Sequence, residues 1–144
     1  MTPAPDRPSL THLRWALIAV GVVFVAGIYI LMQVWPAGWQ WQPAHYEYEQ
    51  MIVGVYATLG VFLVLAARDP LEHLSLIWFT VWSSVVHGGI MLVQALVDPA
   101  ETGHLVGDVP ALFAVAVVLA WLTRRAEAAA SAGRHGTGPE SDTA

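Results

Sequence analysis

The most constraining feature of this sequence is a set of four long apolar stretches, separated by short segments that carry most of its charges. The first stretch runs from Trp15 to Trp35 without a charged residue. A helix of about 20 residues crosses a hydrocarbon core of roughly 30 Å, at 1.5 Å per residue. The stretches occupy residues 15–35, 46–67, 70–97 and 105–123. The predicted fold class is therefore all-α, an antiparallel four-helix transmembrane bundle.

The composition supports this interpretation and limits the remaining functions. Only 12% of the 144 residues are charged, about half the usual share in soluble domains. The absence of cysteine excludes disulfides, thiolate metal sites and a cysteine nucleophile. A net charge of -5 with dispersed arginines provides no basic patch, so no nucleic-acid partner is expected.

The domain organisation follows from the same pattern. Residues 1–14 are expected to form a cytoplasmic N-terminal segment, and residues 15–123 a four-helix membrane domain. Residues 124–144 are rich in alanine, glycine, serine and charge, which predicts a disordered cytoplasmic tail.

The arginines predict the orientation of the bundle. All six fall on one side of a four-span topology: Arg7, Arg14, Arg68, Arg124, Arg125 and Arg134. Cytoplasmic loops are enriched in arginine and lysine, so both termini are expected in the cytoplasm. The compact form indicates a multi-pass protein of the bacterial inner membrane. The lipid bilayer is the expected partner, and a homo-oligomer or a larger membrane complex stays open.

Polar residues inside the apolar stretches predict a pocket. On the third helix, polar side chains including His87 recur within a stripe about 100° wide, so this face should point into the bundle. The predicted pocket opens outwards and centres on His87. Its candidate residues are Tyr29, Gln33, Glu49, Tyr56, Ser83, Ser84, His87, Gln94 and Asp108. The competing interpretation is that the hydroxyl and amide groups hydrogen-bond between helices and only hold them together.

A metal site outside the membrane is the weaker possibility. Its candidate ligands are His45, Glu49, His104 and Asp108. They form two pairs with helical i, i+4 spacing, which match no zinc signature and recur by chance. The sequence does not identify a cofactor.

Two segments resemble a known family. They are GVYATLGVFLVLAARDPLEHLSLIWFTVWSSVVHGGIM, residues Gly54 to Met91, and GHLVGDVPAL, residues Gly103 to Leu112. Together they are similar to the central part of an uncharacterised family of small bacterial four-helix integral membrane proteins, a domain of unknown function. The resemblance implies the four-helix topology and assigns no activity and no catalytic residue.

Three functions fit these observations. The first is a non-enzymatic accessory or structural membrane protein. The second is small-molecule or proton-linked binding or transport through the outward-facing pocket around His87. The third is haem or quinone binding, although a second intramembrane histidine for bis-histidine haem ligation is missing. An enzyme is the weaker interpretation, because the chain has no nucleotide-binding loop, nucleophile elbow or H-E-x-x-H motif.

Overall fold

The computed structural model describes residues 7–40 and 46–135, and over these residues the chain is helical apart from short turns. The first long helix, α1, is continuous and consists of Arg7–Val22, a π-helical turn at Val23–Gly27, and Ile28–Val34. The other long helices are α2 (Tyr46–Ala66), α3 (Leu74–Val97) and α4 (Asp108–His135). The predicted all-α class is confirmed.

Prolines set the connections between these helices. Three short 3-10 helices, Pro36–Gly38, Pro70–His73 and Pro99–Leu105, each begin with proline. Proline has no N–H to continue a helix, and it disfavours helical backbone in the residue before it. The preceding residues Trp35 and Asp69 accordingly have φ values of -139° and -142°. The chain therefore turns at each of these three prolines.

The helix boundaries differ from the expected ones at four places. The first helix begins at Arg7, and the α-helical parts of the third and fourth begin at Leu74 and Asp108, after their 3-10 turns. The fourth helix continues to His135, so the prediction of a disordered tail is wrong for residues 124–135.

Local interactions explain why α4 continues beyond the apolar stretch. Its last turns are rich in alanine, the strongest helix former. The Arg125 guanidinium lies 4.1 Å from the centre of the Trp121 ring, and Ala126 is buried. Residues 136–144 and 1–6 of the two predicted terminal segments lie outside the described part of the chain.

The helices alternate in direction and form two distinct ends. We call the end that contains the start of α1 and the α2–α3 connection the proximal end. Here the Arg14 side chain donates a hydrogen bond of 3.1 Å to the Arg68 carbonyl, which joins the start of α1 to the end of α2. Arg124 lies 5.7 Å from the Trp78 ring, which joins the end of α4 to the start of α3. The distal end consists of residues 35–40 and 98–107. Helix α1 packs on α2 and α4, and α4 packs on α3.

Glycine allows close approach at two contacts. A Cβ atom at Gly60 of α2 would lie 2.6 Å from the Gly21 carbonyl oxygen of α1, and one at Gly21 would lie 2.7 Å from the Gly60 oxygen. At the distal end, a Cβ atom at Gly107 would overlap the Gly38 carbonyl. Small residues in membrane helices permit such backbone contact. Glycine therefore sets the distance between α1 and α2 and allows the Pro36–Gly38 turn to pack against Gly107.

The surface of the bundle is apolar along its length. Large hydrophobic side chains on every long helix are exposed, among them Tyr29, Val55, Phe79, Trp82 and Trp121. Three helical stretches are long and apolar enough to cross a membrane: Ser9–Val34, Pro70–Val97 and Pro99–Gly133. The apolar part of α2, Gln50–Ala66, is shorter. An apolar exterior of this extent indicates a membrane protein, because soluble proteins rarely expose large apolar patches.

We predict that Gly60→Ala destabilises the bundle by about 1–3 kcal/mol, the usual cost of overpacking, because the new methyl group would meet backbone atoms of α1. The matched control is Gly54→Ala on the same helix, where an added Cβ meets nothing within 4 Å. Unfolding in a titration with sodium dodecyl sulfate, followed by circular dichroism, compares the two variants. Equal stability of both would contradict a spacing role for Gly60.

Candidate functional site

A cavity of about 210 Å³ lies among the four long helices towards the distal end. We call it the main cavity. Most of its wall is apolar and comes from all four helices, including the π-helical turn of α1 at Val23 and Phe24. Its polar lining residues are Trp39, Tyr48, Tyr56, His87 and Asp108. A mostly apolar cavity with a few polar groups is the usual form of a small-molecule site.

Tyr56 and His87 form a hydrogen-bonded pair in the wall of the cavity. The Tyr56 hydroxyl lies 2.7 Å from His87 Nδ1, and His87 Nε2 lies 3.1 Å from the sulfur of Met91. A thioether sulfur can only accept a hydrogen bond, so Nε2 carries a proton, and in the neutral imidazole Nδ1 then accepts from the tyrosine hydroxyl. The pair joins α2 to α3 at the cavity wall.

Aromatic packing fixes the position of Tyr56. Its ring meets the Phe24 ring edge to face, with centroids 4.9 Å apart and an interplanar angle of 85°. This geometry is favourable because the positive ring edge faces the negative ring face. The π-helical turn that carries Phe24 therefore supports the Tyr56–His87 pair from the opposite side.

A second polar cluster lies at the distal end. His104 is 1% exposed and stands between two carboxylates: its Nδ1 lies 2.9 Å from Asp108 Oδ2, and its Nε2 lies 2.9 Å from Glu101 Oε2. The 3-10 helix Pro99–Leu105 carries Glu101 and His104, and Asp108 opens α4. The spacings of three and four residues bring all three side chains together.

This cluster separates the main cavity from another one. The outer cavity, of about 360 Å³, is lined by Gln94, Asp98, Glu101 and His104 together with apolar residues of α3. Asp108 lines the main cavity. The Glu101–His104–Asp108 cluster is therefore a continuous polar connection between the two cavities.

Two buried polar atoms beside the main cavity find no hydrogen-bond partner among the described residues. They are Asp108 Oδ1 and the indole nitrogen of Trp39. Buried polar groups are nearly always paired, so each such atom calls for an explanation. One is an acceptor and the other a donor, and both side chains belong to the cavity wall.

The structure brings three of the predicted pocket residues, Tyr56, His87 and Asp108, to one cavity. Gln94 lines the outer cavity. Ser83 bonds to the Thr80 carbonyl of its own helix, and neither it nor the buried Ser84 lines either cavity.

Helix rotation keeps other predicted residues out of the cavity. Tyr29 and Gln33 are exposed, because Ile28 and Met32, one position earlier, take the inward face and each residue advances the helix by 100°. The prediction that these two side chains line the pocket is corrected accordingly. The side chain of Glu49 and all of His45 lie outside the described part of the chain.

Of the four predicted metal ligands, the structure describes the side chains of His104 and Asp108. Within the described residues, no group of three or more histidine, aspartate and glutamate side chains could hold a metal ion. His104 and Asp108 bond to each other instead. Since Glu101 and Asp108 lie at opposite nitrogens of the His104 ring, their carboxylates do not converge on one point.

Sequence reasoning missed Trp39 and Glu101 as members of the site. Trp39 fits an interfacial aromatic belt by sequence, and only the folding back of the Pro36–Gly38 turn places it at the cavity. The sequence does contain a signal for Glu101. It precedes His104 by three residues, a spacing that brings two side chains together on one helical turn.

The chain belongs to DUF6632, a family of unknown function, whose model matches residues 8–138. This match confirms the expected resemblance to a family of unknown function. No curated protein and no solved structure matches the chain.

We predict that Tyr56→Phe lowers the free energy of unfolding by about 1 kcal/mol through loss of the hydrogen bond to His87. It should also shift the nitrogen NMR signal of His87 Nδ1, which loses its donor. Tyr29→Phe is the control, because Tyr29 is 60% exposed and should leave both quantities unchanged. An unaltered Nδ1 signal in Tyr56→Phe would contradict the hydrogen bond between Tyr56 and His87.

Proposed function

We propose that this DUF6632 protein is a non-enzymatic, multi-pass membrane protein that binds a small, largely apolar molecule in the main cavity. The observation that carries the proposal is the cavity itself, with its apolar wall and its polar groups Trp39, Tyr56, His87 and Asp108. Apolar walls contribute affinity by excluding water, and a few placed polar groups orient the bound molecule.

The hydrogen bonds of α3 favour this function over a purely structural or accessory one. A polar stripe that holds helices together should bond across to neighbouring helices. Instead, Thr80 bonds to the Leu76 carbonyl and Ser83 to the Thr80 carbonyl, both within α3. His87, which belongs to the same stripe, does form a hydrogen bond with another helix. Its partner is Tyr56 of α2, and the bond lies at the cavity wall. These hydrogen bonds therefore favour a binding role at the cavity over a role in holding the helices together.

Haem is the less favoured occupant. His87 is the one histidine among the described residues that line the main cavity, and both of its ring nitrogens already have partners. Ligation of haem iron would require the loss of one of these contacts. A quinone would need donors for its carbonyl oxygens, and the Trp39 indole, which has no hydrogen-bond partner among the described residues, could supply one.

We further propose four membrane spans with both termini in the cytoplasm of a bacterial cell, in its inner membrane. Helix α2 has 21 residues, which amount to about 31 Å at 1.5 Å per residue and match the hydrocarbon core. Support for the orientation comes from the charges. The proximal end carries Arg14, Arg68, Arg124 and Arg125, whereas the distal end carries Asp98, Glu101 and Asp108.

Filling the cavity tests the binding function. We predict that protein purified gently from its native membrane carries a stoichiometric small molecule, detected by mass spectrometry of the extract. Ala111→Phe should lose this molecule because Ala111 lines the cavity. The control is Ala114→Phe, three residues further along α4, where the native side chain is exposed. This variant should retain the molecule. Wild-type protein without a bound molecule, or equal retention by both variants, would contradict the proposal.

Single cysteines test the topology, since the chain has none of its own. We predict that Ala100→Cys, at the distal end, reacts with a membrane-impermeant maleimide in intact cells. Glu72→Cys, in the α2–α3 connection, should react only after lysis. Both native residues are exposed, so access depends on the membrane side alone. The reverse pattern would overturn the orientation.

A further inference from the structure

We propose that the molecule bound in the main cavity is an organic cation that pairs with Asp108 and replaces a proton there, and that the proton leaves through His104 and Glu101. This inference rests on the proposed binding function and names its ligand class. It follows from three features of the distal end: an incompletely paired buried carboxylate, the charges around it, and the contacts that connect it to the outer cavity.

Asp108 is the first feature. The residue is 8% exposed, and its Oδ2 is bonded to His104 while Oδ1 has no partner among the described residues. A buried carboxylate is strongly disfavoured unless it is paired with opposite charge or protonated. The site therefore needs either a proton, held on Asp108 or on His104 beside it, or a positive charge in the cavity.

The surroundings favour a positively charged ligand. Among the described residues, neither arginine nor lysine lines the main cavity, and the sequence contains no lysine at all. Three aromatic side chains, Trp39, Tyr48 and Tyr56, lie in the same wall. Aromatic faces attract organic cations through the ring quadrupole. An amine or quaternary ammonium group with an apolar body would match the carboxylate, the aromatic rings and the apolar wall.

The His104 contacts give the proton a way out. An incoming cation favours ionised Asp108, whose carboxyl proton passes from Oδ2 to Nδ1 of His104, 2.9 Å away. His104 Nε2 lies 2.9 Å from Glu101 Oε2 without hydrogen-bond alignment, so a small turn of the ring or the carboxylate precedes transfer of the Nε2 proton to Glu101. Glu101 lines the outer cavity and releases the proton there to water. One cation enters and one proton leaves, so the net charge of the protein with its ligand is unchanged.

Among the described side chains, few titratable groups face Asp108. The 3-10 helix contributes His104 and Glu101, α3 contributes His87, and α2 contributes Tyr48 and Tyr56. The part of α1 that lines the cavity is apolar and includes Phe24. His87 is held by Tyr56 and Met91. The contacts of 2.9 Å therefore single out His104 as the group that exchanges protons with Asp108.

Two probes of equal shape test the charge. Benzyltrimethylammonium and neopentylbenzene differ by one positive charge, since nitrogen in the first replaces carbon in the second. We expect the cation to bind the full-length protein in lipid nanodiscs at least about tenfold more tightly, a difference of about 1.4 kcal/mol. Isothermal titration calorimetry in buffers of different ionisation enthalpy should count close to one proton released per cation bound. Affinity should rise with pH, by at most about tenfold per unit.

Variants assign these effects to residues. Asp108→Asn keeps the side-chain shape and should abolish both the preference for the cation and the proton release. Asp98→Asn, at an exposed carboxylate of the same end, is the matched control and should keep both. His104→Gln should still bind the cation but release the proton at least about tenfold more slowly in stopped-flow measurements with a pH indicator. Glu101→Gln provides an independent test of the same route if His104→Gln does not fold.

The outcomes separate this inference from the binding function. Equal or tighter binding of neopentylbenzene, insensitive to Asp108→Asn, would overturn the cation assignment and leave the apolar binding function standing. Failure of both probes to bind would count against both proposals. Cation binding with unchanged release rates in His104→Gln and Glu101→Gln would overturn the proton route.

Discussion

The contact between His104 and Asp108 determines how the distal end of the bundle is built. A carboxylate at the start of α4 faces an apolar interior, where it needs a partner. His104 supplies one from the preceding 3-10 helix at 2.9 Å, and Glu101 lies against the other side of its ring. The glycines of this segment admit the Pro36–Gly38 turn, so that Trp39 reaches the cavity wall. The placement of Glu101, His104 and Asp108 thus depends on this buried pair, and that of Trp39 depends on the glycine contacts.

The main cavity results from the way in which the four helices pack in pairs. Helix α2 packs on α1, and α3 packs on α4, while Tyr56 and His87 join α2 to α3 by a hydrogen bond rather than by apolar interdigitation. The Gly21–Gly60 contact holds the proximal part of α1 and α2 close together. Space is left beside the π-helical turn, and polar groups of three helices reach it. A membrane protein with such a site can bind a ligand without enzymatic chemistry.

Part of this site was predictable because helical periodicity is a local property. The polar stripe of α3 identified His87, and its spacing indicated an inward face. Tyr56 and Asp108 were identified as partners from their depth in the apolar stretches, and they line the same cavity. Tyr29 and Gln33 were not predictable in this way, since their orientation depends on which face of α1 packs against α2 and α4. Trp39 depends on a turn packed against a distant segment.

The sequence by itself determined the all-helical class, the four long helices, the prolines that separate them and the concentration of arginine at one end. These properties follow from apolar runs, residue spacing and backbone chemistry, which act within a few turns of helix. Only the tertiary structure decided the cavity, the Tyr56–His87 pair across two helices and the separation of two cavities by His104. These depend on the distances between helices, which glycine contacts and buried polar pairs set over long sequence separations.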